Sequence, residues 1–134
     1  MSFLQGFKVL DLASVGPAAR ASRILADYGM EVIKVAPVSG KGQKQTEPVY
    51  HAYGAGRGTR RIRVDLQSAA GRDTVYRLAR ASDVLIESFR PGVAQRIGVG
   101  YEQVREHNPR IVYCSTSGYG QQGPCAQWAG HDIN

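Results

Sequence analysis

Short apolar runs separated by stretches with helical spacing constrain this chain more than any other feature. Phe7–Leu12, Glu31–Val35, Ile62–Leu66, Asp83–Glu87 and Arg110–Ser115 read as strands. After the first, Ala13-Ser14-Val15-Gly16-Pro17 turns into a helix with Ala18, Ala21, Leu25 and Tyr28 on one face. Gly29 supplies the left-handed residue that ends it. Ser68 is placed to cap a helix whose Val75, Leu78 and Ala79 face inward. Short helices are expected over Val93–Ile97 and Tyr101–Asn108, and Pro37 to Pro48 reads as a long polar loop. Continuous apolar strands alternating with helices imply a parallel sheet covered on both faces. Right-handed crossovers then lead to an α/β fold, a Rossmann-like three-layer domain with a mainly parallel sheet. No internal repeat or boundary is visible, so residues 1–134 read as one domain.

Composition narrows the class. A hydrophobic content of 43% with 21% charged residues describes a soluble globular chain. No apolar run approaches the roughly 18–20 residues needed to cross a bilayer. The segment Met1-Ser2-Phe3-Leu4-Gln5-Gly6 lacks the charged and apolar regions of a signal peptide, so a cytoplasmic location is expected. Cys114 and Cys125 have no metal-site spacing and read as reduced thiols, and no metal is expected.

The net charge of +6 points to an anionic partner. The arginines are dispersed over loops and helix starts, with no basic helix, and Tyr50, Tyr53 and Tyr76 form no base-stacking stripe with them. A phosphorylated small molecule therefore fits better than nucleic acid. A solvated basic surface without a specific role is the alternative.

In an open parallel sheet, ligands bind beyond the carboxyl ends of the strands. Ser14-Val15-Gly16-Pro17 offers either a helix start facing an anion or a plain turn, and it lacks the spaced glycines of a dinucleotide fingerprint. In Gly54-Ala55-Gly56-Arg57-Gly58-Thr59-Arg60-Arg61, glycines permit close backbone approach and guanidinium forks suit phosphate oxygens. Phe89-Arg90-Pro91-Gly92 is followed by Arg96, so the two arginines either converge on one phosphate cluster or are ordinary surface residues. Ser117-Gly118-Tyr119-Gly120-Gln121-Gln122-Gly123-Pro124 leads through Trp128 to Gly130-His131-Asp132. That His-Asp pair is either catalytic or a polar surface pair.

In order and spacing these segments resemble the N-terminal part of the class III CoA-transferase (CaiB/BaiF) family, which includes the α-methylacyl-CoA racemases. The similarity runs through Lys8–Leu12, Leu25–Gly29 with Glu31–Val35, Arg57–Arg60 before Val64-Asp65-Leu66, Ser82–Val93, Asn108–Tyr113 and Ser117–Pro124. The ending Ala129-Gly130-His131-Asp132-Ile133-Asn134 is similar to the racemase branch, whereas transferase members usually carry an aromatic residue where His131 stands.

The resemblance implies a CoA-binding domain whose substrate is a coenzyme A thioester, with no prosthetic group. It implies that His131 exchanges the α-proton of a 2-methylacyl-CoA, a task suited to an imidazole of near-neutral pKa. Backbone amides at a helix start after Gly130 would hold the enolate oxygen. Arg90 and Arg96 would contact CoA phosphates, Val15 and Val64 would line the nucleotide site, and Arg57 and Arg60 lie where relatives also hold CoA. Ala36 before Pro37 and Gly56 before Arg57 depart from the family's usual acidic residue and asparagine.

Family members are longer, fold into interlocked dimers and carry a second domain with the partner aspartate. The expectation is thus a component of an acyl-CoA racemase or epimerase, inactive without the downstream region or a partner chain. A second polypeptide would supply the rest of the fold, or the chain would pair with itself as a fragment. The alternatives are a component of a CoA-transferase that moves CoA between carboxylic acids, and a non-catalytic CoA-binding or assembly subunit.

Overall fold

The computed structural model describes residues 2–13, 16–38 and 56–130. Strand β1 (Lys8–Asp11) leads into helix α1 (Gly16–Asp27) and strand β2 (Glu31–Ala36). Strand β3 (Thr59–Arg63), helix α2 (Ala69–Arg80) and strand β4 (Val84–Glu87) follow. Helices α3 (Val93–Arg96) and α4 (Tyr101–His107) then precede strand β5 (Val112–Ser115). The strands pair in the order β3-β2-β1-β4-β5, every pairing parallel. Strand order therefore reverses between β1 and β4, the place where such sheets open a crevice at their carboxyl edge.

Alternation along the strands separates two apolar layers. Leu10 and Leu85 pack with Val75 and Ala79 of α2 and Val104 of α4, while Val9, Val32 and Ile86 pack with Ala18 of α1. The sheet is thus covered on opposite faces, giving the expected three layers.

Local signals explain one end of each of the two long helices. Met30 N–H bonds to the Leu25 carbonyl at 3.0 Å and Gly29 N–H to that of Ala26 at 2.9 Å, with Gly29 at φ 98°. This pair of bonds closes a helix on a left-handed residue, which glycine adopts without strain. Ser68 Oγ accepts from Gly71 N–H at 3.0 Å, the N-cap bond its sequence position foretold.

Two expectations are corrected. The buried residues of α1 are Ala18, Ala19 and Ser22, whereas Ala21 and Tyr28 are exposed. Ala18 is buried and Leu25 packs against the same layer as expected, while Ala19 and Ser22, small residues that let the helix lie close to the sheet, take the places expected of Ala21 and Tyr28. Strand β3 begins at Thr59, not Ile62, because Thr59 through Arg63 are the residues in register with Val32 through Ala36. As an edge strand it tolerates the charged Arg60, Arg61 and Arg63 that concealed it. Most of the Pro37–Pro48 loop lies outside the described residues.

Candidate active site at the carboxyl edge of the sheet

Charged residues close the central strands. Asp11 ends β1, and its register partner Lys34 on β2 donates to Asp11 Oδ2. Asp11 Oδ1 accepts from Ala13 N–H at 2.7 Å, and Lys34 Nζ reaches Ser22 Oγ at 3.4 Å. Glu87 ends β4 and is only 2% exposed. Its Oε2 accepts from Phe89 N–H at 2.7 Å and its Oε1 from the Ser115 hydroxyl. A buried carboxylate needs such donors to offset its lost hydration.

Beside Glu87 opens a cleft of about 490 Å³, with Arg90, Gln95, Tyr101, Tyr113 and Gln121 among its lining residues. That volume lies within the roughly 300–1,000 Å³ of small-molecule sites. Tyr113 donates to the Val99 carbonyl at 2.9 Å. Burial, and then the neighbouring Glu87 carboxylate, push its phenol well above the ordinary value of 10.0.

The loops after β4 and β5 are joined. Thr116 N–H and Oγ1 both donate to the Glu87 carbonyl, at 3.0 and 3.1 Å. Gln127 Nε2 donates to the Pro91 carbonyl at 3.4 Å. Gly118 and Gly130 meet backbone to backbone, so closely that a Cβ on Gly118 would stand 2.8 Å from Gly130 Cα. Trp128 meets Tyr119 edge-on, with centroids 6.0 Å apart. These contacts hold the chain entering His131 against the loop that leaves β5.

The residues singled out in the sequence separate into groups. Arg90 lines the cleft, while Arg96, exposed in the last turn of α3, is not among its lining residues. Arg57 pairs with Asp27 at 2.8 Å and Arg60 with Glu31 at 3.0 Å, both on the surface. Arg57 precedes β3 and so stands at the amino edge of the sheet, across from Arg90. The fold does not bring these two groups of arginines together. Val64 lies just past β3 with its side chain in the core, 6% exposed. Gly130 sits against Gly118, and Val15 and His131 lie outside the described residues. Both cysteines are free thiols, Cys114 being exposed. Among the described residues, no helix is long and apolar enough to cross a membrane.

Sequence reasoning missed Asp11, Lys34, Glu87, Tyr113 and Ser115. The signal was available for the first three. A charge inside or closing an apolar strand, as in Val32-Ile33-Lys34-Val35, either marks a bad strand or a buried polar contact.

Comparison with known proteins places this geometry. The family model of CoA-transferase family III matches residues 4–134. Human alpha-methylacyl-CoA racemase is 37% identical over 98% of this chain, which covers 32% of that protein. Succinate–glutarate CoA-transferase of Agrobacterium fabrum is 38% identical over 96% of this chain and 36% of its own length. The crystal structure of a CAIB/BAIF family protein from Brucella suis superimposes with a TM-score of 0.89 at 33% identity, over 98% of this chain and 38% of that one. The chain spans about a third of the length of the curated relatives it matches.

Proposed function

The chain belongs to CoA-transferase family III, and on that footing we propose that it is a component of an acyl-CoA racemase or epimerase acting at the α-carbon of 2-methylacyl-CoA thioesters. The observation that carries this reading is the packing of Gly130 on Gly118, which brings the chain to the carboxyl edge of β5 one residue before His131. Histidine, the next residue in the chain, is the residue type that proton exchange at a thioester α-carbon calls for.

The chemistry follows from that assignment. His131 takes the α-proton, and the C–H electron pair moves into the thioester as an enolate. A second acid, outside this segment, returns a proton to the opposite face. Arg90 at the cleft contributes a fixed positive charge for an anionic part of the CoA carrier. The cleft suits one end of a CoA thioester, the remainder lying along the open edge of the sheet. No metal or prosthetic group enters this scheme.

A second reading has its own support, since relatives named as CoA-transferases match at the same level of identity as the racemases. In that case CoA passes between carboxylic acids through an acyl-enzyme anhydride, with little dependence on His131. The test uses the protein isolated from its source under non-denaturing conditions, together with whatever copurifies. Deuterium entry at C2 of a 2-methylacyl-CoA, lost in His131→Ala with CoA binding retained, is the expected result. Transfer of CoA to a free carboxylic acid, unchanged in His131→Ala, would select the transferase. CoA binding with neither reaction would reduce the chain to a binding or assembly subunit.

A further inference from the structure

Glu87 is buried at the end of β4, and the partners found for its carboxylate are neutral donors, Phe89 N–H and the Ser115 hydroxyl. Ser115 is its register partner on β5, and the Glu87 carbonyl takes two further bonds from Thr116. One residue thus gathers the start of the turn carrying Arg90 and the start of the loop running to Gly118 and Gln121. Stability alone does not account for this choice, because an apolar residue at a buried strand end costs no desolvation.

We infer that Glu87 is a positioning residue: its carboxylate locks the Phe89–Gly92 turn to the end of β5, so that Arg90 is held at the cleft and in fixed relation to the loop approaching His131. Glu87 is buried, although with Ser115 it also lines the cleft, and the bond from Phe89 N–H lies one residue from Arg90. Gln127, bonded to the Pro91 carbonyl, closes the same two loops a second time further out. The inference rests on the reading above in one respect, that Arg90 meets an anionic part of a CoA thioester.

The test is a double-mutant cycle on CoA binding, measured by calorimetry with free CoA as the probe and the natively isolated protein. Glu87→Gln keeps the shape and removes the charge, and Arg90→Gln removes the guanidinium. If Glu87 acts through Arg90, each single variant binds CoA more weakly and the double variant binds no worse than Arg90→Gln, a coupling of at least about threefold. Losses that simply multiply would overturn the proposal. Ser115→Ala, which leaves the carboxylate in place and removes the tie to β5, is expected to couple to Arg90 in the same sense.

Amide hydrogen exchange reads the positioning without reference to CoA. In Glu87→Gln, acceleration confined to Phe89 and Thr116 upholds the clamp, and uniform acceleration or none refutes it. Should Arg90→Gln bind CoA like the parent, the assignment of Arg90 fails, and the exchange data alone decide the role of Glu87.

Discussion

Asp11 and Lys34 face each other in register across β1 and β2 and form an ion pair in which the carboxylate is 0% and the lysine side chain 7% exposed. Two charges at such depth lose most of their hydration, and only their mutual contact and further hydrogen bonds offset the loss. Removing one partner strands the other. Lys34→Met is expected to lower unfolding stability by about 3–5 kcal/mol. The apolar pair Asp11→Leu/Lys34→Met strands no charge and should recover most of that loss, less about 1–3 kcal/mol for the orphaned Ala13 N–H. Urea unfolding of the three proteins decides it: a double variant less stable than Lys34→Met contradicts the account.

Gly71 lies inside α2, where helix propensity alone would favour alanine by about 1 kcal/mol. The structure reverses the sign. A Cβ at Gly71 would stand 1.9 Å from the Asp65 carbonyl oxygen and 3.0 Å from Ser68 Oγ, the atoms that build the helix cap. Gly71→Ala must push the cap aside, at a net cost of roughly 1–3 kcal/mol. A shift of the urea midpoint to lower concentration is expected, and an unchanged or higher midpoint would show that the cap yields freely.

Those two residues also show where the sequence was readable. The Ser68 cap, the Gly29 helix end and the parallel layering follow from local chemistry with a known periodicity, and all were legible. Strand β3 was not, because its pairing partners are set by the neighbouring strand while its own residues are mostly arginine. The inner face of α1 was half legible: Ala18 and Leu25 face the sheet, but the buried Ser22 carries no apolar signal to set the face apart from Ala21 and Tyr28. Near the cleft, the turn after β4 was legible as the place of Arg90 at the carboxyl edge. Glu87 was not, because its meaning lies in Ser115, a contact across 28 residues of chain. The amino-edge positions of Arg57 and Arg60 likewise depend on where β3 starts.

Tyr113 gives a pH prediction with a definite sign. Its pKa is raised in the folded protein by burial and by the Glu87 carboxylate. Above the unfolded value near 10, the unfolded chain releases this proton while the folded one retains it. The contribution is therefore complete below that pH and is lost as pH rises toward the folded value. Tyr113→Phe has no proton to release, so its stability should fall less steeply above pH 10, despite a baseline loss of about 1 kcal/mol for the missing bond to Val99. Melting temperatures across the alkaline range, compared with the parent, provide the check. Parallel slopes would mean that burial and the Glu87 carboxylate do not raise the Tyr113 pKa in the folded protein.

The contact between Gly118 and Gly130 separates placement from stability. Both lie in exposed loops, so Gly118→Ala should change unfolding stability by no more than about 0.5 kcal/mol. Its new Cβ would nevertheless meet Gly130 Cα at 2.8 Å, and the two backbones must part. Gly130 then shifts relative to Gly118, and with it the point from which the chain continues to His131. For a proton transfer, a displacement near 1 Å costs on the order of a hundredfold in rate. Under the racemase reading, Gly118→Ala should slow deuterium exchange at the α-carbon by about that factor, with CoA affinity held by Arg90 largely intact. Full exchange activity in this variant would mean that the Gly118–Gly130 contact does not set the position of the base.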